Sequence, residues 1–508
     1  MFLSKSKYCS AVQCPKMLWL LKNRKEEFDD SVMNESILEQ GNEVGDLAMG
    51  LLGHFTEVPY GAPSEMLAST EKLLLTDEKV IAEASFAYEG LFCSVDILER
   101  NDDGSVNVYE VKSSTQVNDI YYYDVAYQVY VLRKLGVQVR KASLVHINNQ
   151  YVRHGEVDIH ELFTVCDITE KIMDLQDDTE NRLRFLETYM SNTEEPVMDI
   201  DIQCFGKYKC GYWKYCSGNL PRPNVFDLTG TLAKTKLKLY KAGSVSFTDL
   251  EKNIKLNKKI LQQIRHELHE PGDEINRDTI REALGKFCYP LYFLDFETFQ
   301  TAVPLYDDMR PYEQIPFQYS LHYIENEGGE LRHTEHLAWP GHDPRRNLAE
   351  QLCRDIPADA CVLAYNMSFE KGVIQRLAGQ YPDLSDHLLA IHDHIQDLMI
   401  PFEHRDYYNK RMQGSYSIKY VLPALFPDDP ELDYHNLEGV HNGQEATQTY
   451  LRMAKMEPDE LNEWRGHLLK YCGLDTYAMV KVWQKLNSVL TEARLSGETG
   501  KPGPLKKV

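Results

Sequence analysis

The stretch Tyr289-Pro290-Leu291-Tyr292-Phe293-Leu294-Asp295-Phe296-Glu297-Thr298 decides the fold of the second half of the chain. Its apolar run from Leu291 predicts a short buried strand. Side chains alternate along a strand, so Asp295 and Glu297 point to one face while Phe296 points into the core. Carboxylates at the end of a buried strand are costly unless a metal ion binds them. The stretch therefore predicts a metal site on a central strand.

Two further acidic positions follow in a region where strand and helix patterns alternate to about residue 490, as in an α/β domain. A strand predicted over 362–365 leads into Asn366-Met367-Ser368-Phe369-Glu370, where we expect a helix to begin. Further along, Tyr471 and Asp475 lie four residues apart in a helical pattern and share one face. Four such carboxylates can hold two Mg²⁺ or Mn²⁺ ions roughly 4 Å apart.

The ordered set Asp-x-Glu, Asn-x-x-x-acid and Tyr-x-x-x-Asp resembles the three motifs of the DEDD exonuclease superfamily, in the tyrosine variant of RNase D and polymerase proofreading domains. The segment from Gly414 to Lys419 resembles the Ser-Leu-Lys element of these enzymes. The resemblance implies an RNase H-like 3′→5′ exonuclease domain over residues 288–490, in which a tyrosine orients the attacking water. Its metal ligands would be Asp295, Glu297, Glu370 and Asp475, with Tyr471 as the tyrosine. Glu370 departs from the usual Asp, and Asp397 is the reserve candidate.

A second set of acids lies on a predicted β-hairpin in the first half of the chain. Two β-prone runs, 92–100 and 105–113, flank the turn signal Asn101-Asp102-Asp103-Gly104. Folding about that turn brings Asp96 roughly opposite Tyr109 and Glu110, and Glu110 and Lys112 project on one face. Two carboxylates can hold Mg²⁺, and a lysine can orient or deprotonate water or stabilise charge on a phosphate. The alternative is a solvated cross-strand pair.

This arrangement resembles the PD-(D/E)xK nuclease signature, here Val95-Asp96 and Glu110-Val111-Lys112. On the following helix, Tyr127-Gln128 resembles the glutamine motif of RecB-like nucleases. The resemblance implies a restriction-endonuclease-like domain over residues 1–220, with Asp96 and Glu110 as metal ligands and Lys112 and Gln128 in the catalytic set. Leu132 stands where the family has an aromatic residue. The family's upstream histidine has no counterpart, and Glu43 is the candidate at its place.

Four cysteines frame the same domain. Cys204, Cys210 and Cys216 follow one another with five residues between neighbours, and Cys14 stands far upstream. Thiolates hold soft metal centres, either a structural zinc ion or an iron–sulfur cluster. The layout resembles RecB-like nucleases of the AddB type and the fourth CRISPR-associated protein family, in which one N-terminal cysteine joins three near the domain's end. That resemblance implies a 4Fe–4S cluster with Cys14 as the fourth ligand and Cys9 as its competitor.

Length and composition bound these interpretations. A chain of 508 residues exceeds one ordinary core and predicts two or three domains. No apolar run approaches the roughly 18–20 residues of a membrane span, and the N-terminus lacks a signal-peptide pattern. We therefore expect a cytoplasmic protein without membrane contact. In that compartment the eleven cysteines take core, metal or cluster roles rather than forming a disulfide framework.

Charge distribution bears on the partner. The net charge of −23 counts against nucleic acid, because phosphate binding needs a positive surface. Between Lys207 and Lys241, however, Asp227 is the only acid beside eight basic residues. Such a run is typical of a solvated helix face and also suits a nucleic-acid track. We expect a helical basic linker over residues 221–287 and a disordered tail over 491–508.

The whole chain resembles a bacterial family in which a RecB-like nuclease domain with an iron–sulfur centre precedes a DEDD domain. The resemblance implies a metal-dependent nuclease in DNA processing, repair or phage and CRISPR defence. We expect nucleic acid as the partner, with DNA favoured over RNA, although no sugar-reading residue is recognisable. The alternative is a nucleic-acid-binding adaptor of a defence or repair complex with one or both sites idle.

Overall fold

The computed structural model of the protein describes residues 3–32, 35–207, 209–252 and 256–495, without the side chains of 35–40 and 492–495. From residue 496 onward, the predicted tail lies outside the described residues. None of the helices in the described part of the chain combines the length and apolar character that a membrane crossing requires.

The chain is a mixed α/β structure. Its strands are β1 (Leu3–Ser4), β2 (Thr56–Glu57), β3 (Val80–Tyr88), β4 (Leu91–Arg100), β5 (Val106–Lys112), β6 (Val139–Ile147), β7 (Phe163–Asp167), β8 (Glu274–Ile275), β9 (Leu291–Phe299), β10 (Ile315–Ile324), β11 (Arg332–Leu337), β12 (Cys361–Ala364), β13 (Ile395–Asp397) and β14 (Tyr407–Tyr408).

The α-helices are α1 (Lys5–Gln13), α2 (Pro15–Asn23), α3 (Glu35–Met49), α4 (Pro63–Leu74), α5 (Asp119–Lys134), α6 (Ile159–Leu162), α7 (Thr169–Asp174), α8 (Gln176–Met190), α9 (Trp213–Cys216), α10 (Ala233–Lys241), α11 (Phe247–Glu251), α12 (Lys258–His269), α13 (Arg277–Leu284), α14 (Arg345–Asp355), α15 (Ser368–Gln380), α16 (Ser385–Asp393), α17 (Ile400–Glu403), α18 (Ile418–Leu425), α19 (Gly443–Met453) and α20 (Pro458–Leu495).

The chain divides into two compact units. Unit 1 comprises Met1–Leu220 and Thr301–Glu313, and unit 2 comprises Pro221–Gln300 and Gln314–Val508. The segment interpreted from sequence as a basic linker, 221–287, belongs to unit 2, where it forms α10 to α13 and β8. The pairing of β8 with β14 ties this segment to the rest of its unit.

Unit 1 is built on a sheet whose described strands follow the order β2-β3-β4-β5-β6-β7, with β1 alongside β4. Strands β3, β4 and β5 are antiparallel, and β5 runs parallel to β6, with α5 between them in sequence. Ile97 and Tyr109 form the last pair of the β4–β5 ladder, so the next positions along the two strands set Asp96 opposite Glu110. The predicted hairpin is therefore present, and Gly104 (φ +82°) closes its turn in the left-handed region that favours glycine.

Unit 2 contains a five-stranded sheet with the order β11-β10-β9-β12-β13. Strand β10 runs antiparallel to β9 and β11, whereas β12 runs parallel to β9 and β13. The predicted buried strand is β9, at the centre of this sheet. Leu291 and Phe293 enter one hydrophobic core, which includes α20, and Tyr292, Leu294 and Phe296 enter the core on the other face. Period-two alternation thus directs residues 295 and 297 toward the α20 side.

Candidate metal centres

Three carboxylates meet in unit 2. One oxygen from each of Asp295, Glu297 and Asp475 lies within 4.8 Å of the other two. Strand β9 supplies the first two acids, and α20, packed on the same face of the sheet, supplies the third. The sequence predicted both the shared face on β9 and these three residues. Carboxylates at this separation can share a divalent cation through their oxygen atoms.

The electrostatics of these acids are unfavourable without a cation. Burial raises the pKa of Asp295 well above its usual range, and the charges of Asp475, Glu297 and Glu370 add to the rise. Burial likewise raises the pKa of Glu297, with a further contribution from Asp475. The pKa of Asp475 is raised by burial to about 6, although hydrogen bonds from Tyr434 and Tyr471 and the charge of Lys419 oppose the rise. A bound cation would relieve this repulsion.

Glu370, the fourth predicted acid, lies beside the triad rather than within the 4.8 Å group. It stands in the first turn of α15 with only 2% of its surface exposed, and its Oε2 accepts no hydrogen bond from the described residues. Burial raises its pKa to about 8, with a contribution from Asp397. A buried carboxylate oxygen without a partner is costly, so this one is suited to an additional ligand.

Asp397, the reserve candidate, has a different role. Its carboxylate accepts backbone hydrogen bonds from Asn366 at 3.1 Å, Met367 at 3.0 Å and Met399 at 2.9 Å. Asn366 lies in the left-handed region with φ +73°, which asparagine tolerates better than most residues. Asp397 therefore fixes the sharp turn between β12 and α15 and positions Glu370 indirectly.

Two tyrosines contact the triad. Tyr471 is buried, and burial together with Asp475, Glu297 and Asp295 raises its pKa further above the usual range. Tyr434, which the sequence reasoning missed, donates a hydrogen bond from its hydroxyl to Oδ1 of Asp475 at 2.6 Å. No motif spacing could identify Tyr434, because it follows a turn 41 residues before its partner.

The predicted hairpin residues of unit 1 also converge. Lys112 Nζ donates to Glu110 Oε1 at 2.6 Å and to Asp124 Oδ2 at 2.7 Å. Gln128 Nε2 donates to Glu110 Oε2 at 2.6 Å, and the Asp96 carboxylate accepts a backbone hydrogen bond from Val111 at 2.7 Å. Glu110 is only 1% exposed, which does not fit the alternative of a solvated surface pair. Asp124, on α5 one turn before Gln128, was missed.

Two lysine side chains lie in this centre, Lys112 and Lys5, and the sequence analysis missed Lys5. Burial lowers the pKa of Lys112, but the charges of Asp124 and Glu110 outweigh it and hold the pKa above its usual range. Lys5 Nζ donates to Asp96 Oδ1 at 2.9 Å and to both carboxylate oxygens of Glu110 at 3.1 Å. Two ammonium groups therefore flank one buried glutamate.

The next feature of unit 1 is the acid expected at the place of the family's upstream histidine. Glu43, the predicted substitute for a histidine, is exposed and lines a surface pocket together with Asp46. Glu83, on β3, is in electrostatic contact with the centre: burial raises its pKa to about 7, and Asp96 and Asp46 contribute. Glu83 has φ +55°, an uncommon backbone conformation for glutamate. Glu83 is therefore an acid beside Asp96 that the sequence analysis did not identify.

The four predicted cysteines influence one another. Burial raises the pKa of Cys204 to about 11, and Cys14 and Cys210 add to the rise. Burial also raises the pKa values of Cys210 and Cys216, each with a contribution from Cys14. Among the described residues, no three of these sulfur atoms lie within 4.8 Å of one another. The charge of Cys14 thus contributes to the raised pKa of all three later cysteines.

The competitor Cys9 has a different environment. Burial raises its pKa, and the charges acting on it come from Asp124, Lys112, Glu110 and Lys5 of the carboxylate centre. The charges with the largest effect on the pKa of Cys9 are therefore those of the carboxylate centre.

Comparisons with known proteins cover parts of the chain. A family model described as a domain of unknown function (DUF2779) matches residues 292–417, which include Asp295, Glu297 and Glu370. The uncharacterized protein MG366 of Mycoplasma genitalium is 25% identical over 209 residues, covering 37% of this chain and 31% of that protein. The chain thus spans about a third of the length of this curated relative.

A solved structure described as "Crystal structure of SSO0001" is 15% identical and covers 43% of this chain and 87% of that chain, with a TM-score of 0.20. A likeness at that score carries no argument about this chain. None of these descriptions states an activity.

Proposed function

We propose that the protein is a metal-dependent nuclease with a 3′→5′ exonuclease centre in unit 2. The observation that carries the proposal is the convergence of Asp295, Glu297 and Asp475 on a buried strand and the helix packed against it. Burial of three mutually repelling carboxylates destabilises the fold unless cations bind there. Such a site is therefore better explained by catalysis than by stability.

The residues divide the work of phosphodiester hydrolysis. Divalent ions bound at the site would supply a Lewis acid that activates water and stabilises the leaving oxygen. Asp295, Glu297 and Asp475 would hold them, with Glu370 as an additional ligand through its unpartnered oxygen. Tyr471 stays protonated at neutral pH because its pKa is raised, so it orients water and does not act as a base.

The fold supports the same proposal. A five-stranded sheet whose first three strands are antiparallel, and whose last two run parallel to the first, agrees with an RNase H-like domain. In unit 1, a hairpin followed by α5 and the parallel strand β6 agrees with a restriction-endonuclease-like core of the PD-(D/E)xK type. Both interpretations rest on topology and motif order and leave the biological pathway open.

Unit 1 provides a second proposed nuclease centre. Asp96 and Glu110 would hold a divalent ion, and Lys112, which stays charged, would stabilise negative charge on the phosphate. Gln128 contributes by fixing Glu110 through its amide hydrogen bond. The buried position of this set, rather than its sequence spacing, favours a catalytic role over a surface ion pair.

The cysteine set supports an iron–sulfur cluster in unit 1. Four thiolates on one zinc ion would stand about 3.8 Å apart, given tetrahedral geometry and Zn–S bonds near 2.3 Å. A 4Fe–4S cluster spaces its thiolates more widely than a single zinc ion does, and the spacing of the four cysteines along the sequence resembles that of the iron–sulfur nucleases. Cys14, Cys204, Cys210 and Cys216 would hold the 4Fe–4S cluster, with structural zinc as the alternative.

Nucleic acid is the proposed substrate, with DNA favoured over RNA. Lys234, Lys238 and Lys241 are exposed on α10 in unit 2, as the helical spacing predicted. Local positive charge of this kind can bind phosphate even though the chain as a whole is acidic. Part of the basic stretch has other contacts, because Lys214 pairs with Asp29 at 2.8 Å and Arg222 pairs with Asp227 at 3.1 Å.

The proposal is tested by degradation of 5′-labelled single- and double-stranded DNA and RNA with Mg²⁺ or Mn²⁺. Asp295→Ala should lower the 3′→5′ rate by about a thousandfold, because it removes a metal ligand worth several kcal/mol of barrier reduction. Exposed Asp359 supplies the matched control, Asp359→Ala, which should retain full activity. A thermal melt of each variant separates loss of chemistry from loss of fold.

The second centre is tested in the same assay with Lys112→Ala. Because each unit has its own acids, Lys112→Ala should leave the Asp295-dependent exonuclease activity intact and remove a different cleavage activity. An intact Asp295→Ala protein with wild-type cleavage would contradict the exonuclease assignment. Tight binding of nucleic acid without cleavage under any metal would instead favour the adaptor.

A further inference from the structure

Lys5 is the first residue of α1, and its ammonium lies between the two proposed metal ligands of unit 1. It contacts Asp96 Oδ1 at 2.9 Å and Glu110 Oε1 and Oε2 at 3.1 Å each. The glutamate is 1% exposed, and the side chains of Asp96 and Lys5 are 18% and 22% exposed. The ammonium is thus a largely desolvated cation with two carboxylate partners.

The location is unusual for a lysine. A positive charge in the first turn of a helix is disfavoured by the helix dipole, so α1 itself gives Lys5 no electrostatic support. Asp96 and Glu110 supply the stabilisation instead: burial lowers the pKa of Lys5, but Asp96, Glu110 and Asp124 outweigh it and raise the pKa. The charged form of Lys5 is therefore stabilised by the proposed metal ligands and not by helix α1.

The other hydrogen bonds of Asp96 and Glu110 limit the positions from which a metal ion could reach their oxygen atoms. Asp96 Oδ2 accepts from the Val111 backbone at 2.7 Å, and Glu110 accepts from Lys112 and Gln128 at 2.6 Å each. The ammonium of Lys5 lies between Asp96 and Glu110. A divalent ion that bridges these two acids needs oxygen atoms that the Lys5 ammonium engages.

We propose that Lys5 is a tethered cation that occupies the metal position of unit 1, and that a divalent ion binds Asp96 and Glu110 only by displacing it. Lys5 then sets the metal concentration at which this centre loads. It also stabilises the metal-free unit by neutralising a buried pair of acids. The inference rests on the proposed metal-binding function of unit 1.

The first test is Mn²⁺ titration followed by electron paramagnetic resonance of the free ion, in an Asp295→Ala, Asp475→Ala background that silences unit 2. Lys5→Met should bind Mn²⁺ at least about tenfold more tightly, because the competing close charge pair is gone. Its melting temperature should be lower without metal, since two buried carboxylates lose a partner, and should rise more on Mn²⁺ addition. Lys7→Met, which changes an exposed lysine on the same helix, should behave as the parent.

A second test uses the protein with its native Lys5 and does not depend on the folding of a variant. Acetic anhydride labelling with mass spectrometry should show Lys5 protected without metal and severalfold more reactive with saturating Mn²⁺. Lys7 serves as the internal reference, and its labelling should not change.

The outcomes separate the inference from the function on which it rests. If Asp96→Ala leaves Mn²⁺ binding in the silenced background unchanged, unit 1 is not the metal site and its proposed function fails. If Asp96→Ala abolishes binding while Lys5→Met has the parent affinity and Lys5 labelling ignores Mn²⁺, the metal site stands and the displacement by Lys5 is refuted.

Discussion

At the residue scale, the raised pKa values of the acids of unit 2 make both stability and the proposed metal binding depend on pH. Burial raises the pKa of Asp475 to about 6 and that of Glu370 to about 8. Both values lie above those of an unfolded carboxyl, near 4. Between those limits the folded protein binds more protons than the unfolded chain, so stability falls as pH rises. A divalent ion at the proposed site would compete with these protons, so we expect it to bind more tightly at higher pH.

This linkage predicts a pH-dependent melt. The metal-free protein should lose melting temperature from about pH 5 to about pH 8, and Mn²⁺ should restore more of it at the higher pH. Asp475→Asn should weaken the decline below about pH 6 and reduce the Mn²⁺ effect, because its side chain cannot ionise. Asp359→Asn is the exposed control. A decline of equal slope in Asp475→Asn would show that this carboxyl is not responsible.

The two tyrosines of unit 2 predict different kinetic defects. Tyr434→Phe removes the 2.6 Å hydrogen bond to Asp475, a bond to a charged group worth about 1.5–3 kcal/mol. It should therefore raise the Mn²⁺ concentration needed for half-maximal activity. Tyr471→Phe should instead lower kcat by no more than about a hundredfold with little change in metal requirement, because it orients water. Metal titrations of the exonuclease rate distinguish the two, and identical defects would contradict the separate roles.

At the element scale, the start of α15 depends on Asp397. Three backbone N–H groups converge on its carboxylate, and the helix that begins there carries Glu370. The acid that matches the motif and the acid that holds the helix in place are thus different residues. Their separation explains why sequence order alone left both as candidates.

Substitution of Asp397 distinguishes a capping role from a ligand role. Asp397→Asn keeps an oxygen that accepts backbone hydrogen bonds, so it should retain most stability and activity. Asp397→Ala should lose about 1–2 kcal/mol of unfolding free energy, as the loss of a helix cap does, and part of the activity. Denaturant unfolding and the exonuclease rate measure both effects. Near-complete loss of activity in a stable Asp397→Asn protein would instead identify this residue as a metal ligand.

The hairpin of unit 1 shows what element geometry adds to a motif. Strands β4 and β5 set Asp96 and Glu110 opposite each other, as the turn signal predicted. Helix α5 then brings Gln128 against Glu110 and, one turn earlier, Asp124 against Lys112. The sequence indicated Gln128 through its motif, but Asp124, which accepts a 2.7 Å hydrogen bond from Lys112, had no motif to mark it.

At the scale of the whole molecule, the proposed cysteine centre would join the two ends of unit 1. Cys14 precedes α2, whereas Cys204, Cys210 and Cys216 come about 190 to 200 residues later. A centre held by these thiolates closes a long loop and restricts the unfolded chain as a cross-link does. The expected contribution is to the stability of unit 1 rather than to the chemistry of either acidic site.

This role predicts the behaviour of Cys210→Ser. Protein purified without oxygen should be brown, with broad absorption near about 400 nm from thiolate-bound iron. The substitution should remove the colour and lower the melting temperature of unit 1, while the Asp295-dependent exonuclease persists. Cys353→Ser, in unit 2, is the matched control. Stoichiometric zinc without iron in the wild-type protein would refute the cluster and leave a zinc site.

The sequence alone determined features that depend on short-range periodicity. Alternation along β9 placed Asp295 and Glu297 on one face, and the spacing of four in α20 placed Tyr471 and Asp475 on another. The hairpin about Gly104 followed from its turn residues. These features need only backbone geometry over a few residues, which the order of residue types already specifies.

Only the tertiary structure decided which distant residues complete each centre. Lys5 meets Asp96 and Glu110 across 91 and 105 positions, and the charge of Cys14 contributes to the raised pKa of Cys204, 190 positions later. Tyr434 and Asp397 likewise received their roles from packing. Residue spacing predicts proximity only within a turn of helix or a hairpin. Residues far apart in sequence are brought together by sheet order and helix packing. The charge and burial that govern their chemistry arise from that packing.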